Sequence, residues 1–237
     1  MARQTFFITG TDTEIGKTTV SCGFLKLANS AGLRTIGMKP VASGCEQTPD
    51  GLRNGDALAL QACASEALDY ERINPVALEP AIAPHVAAKQ AGRTLSADRL
   101  AGFCRGLMTA PADLLLIEGA GGWRVPLNDR ETYSEVPRAL GIPVILVVGL
   151  RLGAINQAML TAEAILNDRV ALVGWVANQV SDRPMEAMQD TLDYLRAHMP
   201  APCLGQVPYI GPDQAGSEVE RASRCARYLS LPVHNKS

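Results

Sequence analysis

The sequence predicts an α/β fold, a mainly parallel sheet with helices on both faces, and three observations lead there. Short apolar runs recur along the 237 residues. Several are nearly continuous rather than alternating, the pattern of strands buried on both sides. Stretches of helical length with one apolar face separate them, as in a chain of βα units.

Thr5–Thr9 is the first strand and Gly16–Ala31 the helix after it. The segment joining them, Gly10-Thr11-Asp12-Thr13-Glu14-Ile15-Gly16-Lys17-Thr18-Thr19, is a phosphate-binding loop. Gly10 and Gly16 let the backbone turn its N–H groups inward, Lys17 brings a mobile positive charge, and Thr18 offers an oxygen to Mg²⁺. Five residues separate the two glycines, one more than in the commonest form of this motif. The chain is therefore expected to bind a nucleoside triphosphate.

Arg34–Lys39 is the second strand, and Pro40 gives it an extended exit. Gly55–Ala64 is helical, with Asp56 at its start. Asn74–Gly92, rich in Pro and Ala, reads as an inserted loop with a short helix after Pro84. Ser96–Met108 and Thr132–Leu140 are helices that carry Asp98 and Glu135 in their first turns, where a carboxylate meets the positive end of the helix. Leu114–Glu118, Val144–Val148 and Leu172–Asn178 are strands, Cys203–Val207 a weaker one. Ala154–Asn167, Met185–His198 and Ser217–Leu229 complete the helices. No break in composition and no repeat marks a linker, so residues 1–237 read as a single domain.

With 22 basic and 24 acidic residues and 5% aromatics, nothing favours a polyanion, and nucleic-acid binding is not expected. The N-terminus enters the first strand with no room for a cleavable signal. The run from Ile142 to Leu150 is broken by Pro143 and Gly149, and is about half the roughly 20 residues a bilayer span needs. A cytosolic protein without a membrane segment is expected. Cys22, Cys45, Cys63, Cys104, Cys203 and Cys225 are dispersed, with only His85, His198 and His234 as imidazoles, which favours buried free thiols over zinc or disulfides. His85 reads as a local donor, and no nucleophile elbow supports a hydrolytic triad.

Ligands of an open parallel sheet gather beyond the carboxyl ends of its strands. Glu118 sits at the tip of an apolar strand, placed to ligate or orient Mg²⁺ with Thr18, and Asp56 is a further candidate oxygen ligand. Lys39 ends its strand where it can stabilise charge on a transferring phosphoryl group beside Lys17. Ser43, in Ser-Gly, is either a ligand contact or ordinary turn chemistry. Gly119, Gly121 and Gly122 favour a ligand-facing turn. Asp12 and Glu14 are awkward so close to phosphates, and they point either away or toward a cation.

Taken together, these motifs resemble the dethiobiotin synthetase family over nearly the whole chain. The resemblance rests on Gly10–Thr18, Lys39-Pro40-Val41-Ala42-Ser43-Gly44, Gly51–Ala57, Glu118–Trp123, Pro143–Gly149 and Gly174–Asn178. It implies a P-loop NTPase-like, seven-stranded mainly parallel sheet in a homodimer. It also implies the substrates 7,8-diaminopelargonate, CO₂ and MgATP, with the reaction passing through a carbamate and a carbamic-phosphoric anhydride. It assigns Lys17, Lys39, Thr13 and Ser43 to catalysis, and Thr18, Asp56 and Glu118 to the metal. The nucleotide falls to Thr13, Glu14, Ile15, Gly16, Lys17, Thr18, Thr19, Asp56 and Glu118. Its adenine falls to Asn178, Gln179 and the Val207-Pro208-Tyr209 turn, with Gln179 standing where the family pattern has Asp. Ser43, Gly121 and Gly122 are implied in the diamine pocket. Leu152, Gly153, Ala154, Ile155 and Asn156 are implied to bind the distal carboxylate across the dimer interface. Related cobyrinate amidases and septum-site ATPases share the sheet. The septum-site class has a lysine where this chain has Asp12, and a noncatalytic nucleotide switch is the alternative reading.

Overall fold

The computed structural model describes residues 3–211 and 216–232. Met1, Ala2 and His234, which entered the reading of the N-terminus and of the imidazoles, lie outside them. The chain begins with β1 (Gln4–Gly10), α1 (Lys17–Ser30) and β2 (Thr35–Met38), then the short β3 (Val41–Ala42), β4 (Glu46–Thr48) and β5 (Gly51–Arg53). Next come α2 (Gly55–Cys63), α3 (Tyr70–Ile73), β6 (Val76–Ala77), α4 (Pro84–Gln90) and α5 (Ala97–Leu107). β7 (Leu114–Gly122), α6 (Glu135–Leu140), β8 (Val144–Leu150), α7 (Ala154–Asn167) and β9 (Leu172–Gln179) follow. The last elements are α8 (Met188–His198), β10 (Cys203–Val207) and a final helix α9 (Glu218–Ala226).

The main sheet has six strands in the order β10-β9-β8-β1-β7-β2, all parallel. The seven strands implied by the family resemblance are corrected to six among the described residues. Val41–Ala42 pairs with Val76–Ala77 in a separate two-stranded ribbon, because Pro40 turns the chain away from the sheet after β2. The inserted segment therefore holds a strand as well as its expected helix after Pro84. The hairpin of β4 and β5 and the single turn of α3 carry too little periodic signal to be read from sequence.

Alternate residues of the strands feed two cores. Phe7, Leu115, Ile117, Leu146, Val148 and Trp175 face α5, α6, α7 and α8. Phe6, Ile8, Leu114, Leu116, Ile145 and Val147 face α1, α2 and α9. Every residue of β8 is buried, which explains why its sequence is apolar without alternation. Each fully buried Leu or Ile contributes on the order of 1.5–3 kcal/mol by leaving water. The six cysteines are free thiols, and all but Cys203 are buried.

β1 lies between β7 and β8, so the phosphate loop leaves the sheet at its centre. Beside it the register slips: two steps along β1, from Ile8 to Gly10, match four along β7, from Glu118 to Gly122. The extra backbone bends out as the Gly119-Ala120-Gly121 turn. Gly121 has φ 64°, and a Cβ on Gly119 would meet the Phe7 ring at 2.9 Å. Glycine is required at both positions for these distinct reasons.

Candidate active site

The phosphate loop is held open by two residues in the left-handed region, Glu14 at φ 57° and Gly16 at φ 81°. A residue with a Cβ accepts that conformation at a cost of roughly 1–2 kcal/mol, so Glu14 marks real local strain. Gly16 caps α1 with no side-chain hydrogen bond, leaving the first N–H groups of the helix facing the loop.

Lys17 begins α1, largely buried, and its Nζ donates to Asp12 O at 2.7 Å. Burial pushes its pKa down to about 8, with the Glu118 carboxylate opposing that shift. Asp12 points sideways, not at the loop's hollow. One of its oxygens accepts from Thr13 N at 2.8 Å, and the other pairs with the Arg151 guanidinium. The Thr13 N–H, then Arg151, hold the Asp12 carboxyl below its ordinary range against partial burial. Asp12 is thus turned aside onto Arg151 of the chain itself rather than left free to meet a substrate cation. Glu14 and Thr13 are exposed.

Lys39 lies at the centre of the charge cluster. It is 5% exposed, and its Nζ donates to Glu118 Oε1 at 2.8 Å and to Asp56 Oδ2 at 2.5 Å. Burial alone would lower its pKa, but the two carboxylates overcome this and hold it above the ordinary lysine range. Burial likewise favours neutral Asp56, yet Lys39 and the Thr18 hydroxyl keep it lowered and ionised. Glu118, 0% exposed, also accepts from Thr18 Oγ1 and Ser21 Oγ, both at 2.8 Å. Two lysines and two acids thus neutralise one another before any ligand arrives.

Backbone ties keep this cluster in place. Asn74 Nδ2 donates to Lys39 O at 2.7 Å, and Lys39 N to Ile73 O at 2.9 Å. Asn54 caps α2, its Oδ1 accepting from Asp56 N and Ala57 N, while its Nδ2 donates to Ser43 O at 3.2 Å. Ser43 is thereby fixed beside the helix that presents Asp56. Ser21, Asn54, Asn74 and Arg151 were not among the residues singled out in the sequence. Ser21 had a signal, since it follows Thr18 by three positions and shares its helix face. The other three act through loop geometry with no periodic trace.

Thr18 Oγ1, Asp56 and Glu118 form an oxygen-only donor set, which suits a hard cation held through one or two carboxylates and substrate phosphates. No group of three or more His, Cys, Asp or Glu able to hold a metal occurs among the described residues. Mg²⁺ fits this set as an ion shared with a nucleotide rather than one caged by the protein. Thr19 follows Thr18 in the first turn of α1, partly buried.

The glycine turn closes over the loop. A Cβ on Gly122 would lie 3.5 Å from Gly10 O, and one on Gly121 3.5 Å from Thr13 Oγ1. On the other side, Asn178 is buried, with its Nδ2 donating to Ile15 O at 2.8 Å. In the β9–β10 register it stands opposite Val207, so the Val207-Pro208-Tyr209 exit runs beside it. Gln179 turns outward, its Nε2 donating to Ser181 O at 2.8 Å. In the Leu152–Asn156 segment, Leu152 is 94% exposed and Gly153 precedes α7 at φ 93°.

Residues 4–214 match a family model described as an AAA domain. A protein of Marinobacter nauticus named ATP-dependent dethiobiotin synthetase BioD is 59% identical over 231 residues, covering 98% of this chain and 97% of the relative. One of the same name from Pseudomonas paraeruginosa is 60% identical over 205 residues, covering 86% and 90%. Among solved structures, the MinC:MinD cell division protein complex of Aquifex aeolicus aligns with TM-score 0.60 at 12% identity, covering 98% of each chain, a likeness of fold alone. The loop, the charge cluster and relatives matched almost end to end agree, and the chain belongs to the dethiobiotin synthetase family.

Proposed function

We propose that this chain carboxylates 7,8-diaminopelargonate with CO₂ and closes the cyclic urea at the expense of ATP, releasing dethiobiotin, ADP and phosphate. One amine takes up CO₂ as a carbamate. A carbamate oxygen attacks the γ-phosphorus, ADP leaves, and the second amine displaces phosphate from the mixed anhydride. This is a cyclo-ligase reaction forming C–N bonds.

The observation that carries this reading is Lys39 held between Asp56 and Glu118 at the mouth of the phosphate loop. Attack by one anion on another needs fixed positive charge and restrained geometry more than acid–base chemistry. Lys17 and Lys39 supply the charge, and Thr13 and Ser43 orient the carbamate. Gly121 and Gly122 offer backbone contacts to the diamine. Thr18, Asp56 and Glu118 would hold Mg²⁺, which when bound neutralises phosphate charge. Ile15, Gly16 and Thr19 complete the triphosphate cradle, and Asn178, Gln179 and Val207–Tyr209 take the base.

The homodimer belongs to the same proposal, with the N–H groups at the start of α7 receiving the substrate carboxylate from the neighbouring protomer. Support comes from α7 itself. Its inner face buries Ala154, Ala158, Ala162 and Ile165, yet Leu160 and Leu166 on its outer face are 58% and 46% exposed. These two exposed leucines are apolar surface that a neighbouring protomer can cover. No helix among the described residues is long and apolar enough to cross a membrane. We place the protein in the cytoplasm, acting as a single domain on small molecules.

The test is direct. Purified protein incubated with diaminopelargonate, bicarbonate and MgATP should give a product whose mass exceeds that of the diamine by one carbonyl less two hydrogens, with one ADP per product. ATP hydrolysis without that product, or nucleotide binding with no turnover, would reject the reading in favour of a nucleotide switch.

A further inference from the structure

Glu118 is gripped by three donors that are not equivalent. Thr18 Oγ1 and Lys39 Nζ both donate to Oε1, whereas Ser21 Oγ donates to Oε2. Under the function proposed above, on which this inference rests, Thr18 and Lys39 have second duties toward the metal and the phosphates. Ser21 has none. It is 0% exposed and lies one turn deeper in α1 than Thr18.

Helical hydroxyls elsewhere in the molecule behave differently. Ser30 donates to Lys26 O, Thr161 to Gln157 O and Ser223 to Val219 O, each bonding back one turn in its own helix. Ser21 reaches across to β7 instead. The terminal torsion of a glutamate is broad and nearly two-fold, so a carboxylate held at one oxygen only is free to twist. With Oε2 tied to a buried hydroxyl, the acid keeps its plane.

We infer that Ser21 is a positioning residue of the metal site. It holds Glu118 Oε2 whether or not ligands are present, so that Oε1 alone faces the ion when Thr18 and Lys39 turn to the nucleotide. Groups of this kind, one bond behind a ligand, set metal affinity by about 10–100-fold.

The test measures Mn²⁺ affinity of the protein–ADP complex from the free Mn²⁺ EPR signal, and ADP affinity in EDTA by calorimetry. Ser21→Ala and Ser21→Cys, which remove or weaken the donor at nearly constant shape, should each weaken Mn²⁺ binding by about 10–100-fold. ADP affinity in EDTA should stay close to that of the unaltered protein, and Ser21→Thr should recover most of the Mn²⁺ affinity. Mn²⁺ affinity within about 3-fold of the unaltered protein in both Ala and Cys variants would overturn the inference. So would an equal loss of metal-free ADP binding, which signals a general defect of α1. Failure of the unaltered protein–ADP complex to bind Mn²⁺ would instead remove the proposed metal site itself.

Discussion

Asp12, inside the phosphate loop, is paired with Arg151, the residue that opens the segment leading into α7. The loop that grips phosphates is thereby fastened to the segment proposed to receive a neighbour's substrate. Both partners are nearly half exposed, so the pair is expected to contribute at most about 1 kcal/mol to stability. Arg151→Ala should leave the urea-unfolding midpoint and ATP affinity nearly unchanged while raising KM for the diamine several-fold. A rise in the KM of ATP with that of the diamine unchanged would show that the pair serves the nucleotide loop alone.

Lys39→Gln removes the charge at the centre of the cluster but keeps a donor for the two acids. Turnover should fall by about 100–1,000-fold, the usual consequence of losing one preorganised stabilising group. Glu118→Gln should impair turnover as well, and circular dichroism should show both variants folded. Product formation at the unaltered rate in either variant would exclude that residue from the mechanism.

Gly16 combines a left-handed backbone with no room for a side chain, since a Cβ there would run into the Asn178 amide. Gly16→Ala should cost more than about 1 kcal/mol of stability and abolish measurable ATP binding. Calorimetric titration showing normal ATP affinity would mean the loop re-forms around the methyl group.

Leu160→Glu places a charge on the exposed apolar side of α7. Light scattering should then report a monomer where the unaltered chain gives a dimer. The variant should bind ATP normally yet show a much raised KM for the diamine. A dimer of unchanged strength would place the subunit contact elsewhere.

Much of this architecture was legible because its determinants are local or periodic. The six strands of the sheet announce themselves as apolar runs, and Gly10–Thr18 carries its loop in its glycines. Lys39, Asp56 and Glu118 were each legible as polar groups just beyond a strand or at a helix start. What sequence cannot express is which of them meet: Lys39 bridges residues 17 positions and 79 positions away. The Asp12–Arg151 pair spans 139 positions, and nothing near either residue signals the other. The seventh strand came from the family resemblance and not from the apolar runs, whereas a two-residue strand such as Val41–Ala42, outside the main sheet, has no period to read.

The bond from Asn178 to Ile15 O joins the wall where a heterocycle would rest to the loop that grips phosphates. If Asn178 takes the base as proposed, nucleotide choice and phosphate grip are not separately adjustable at this position. A lineage drifting toward another base would slacken its own triphosphate cradle by changing Asn178. Such drift is expected to run through Gln179 and the Val207–Tyr209 turn, which the cradle does not lean on.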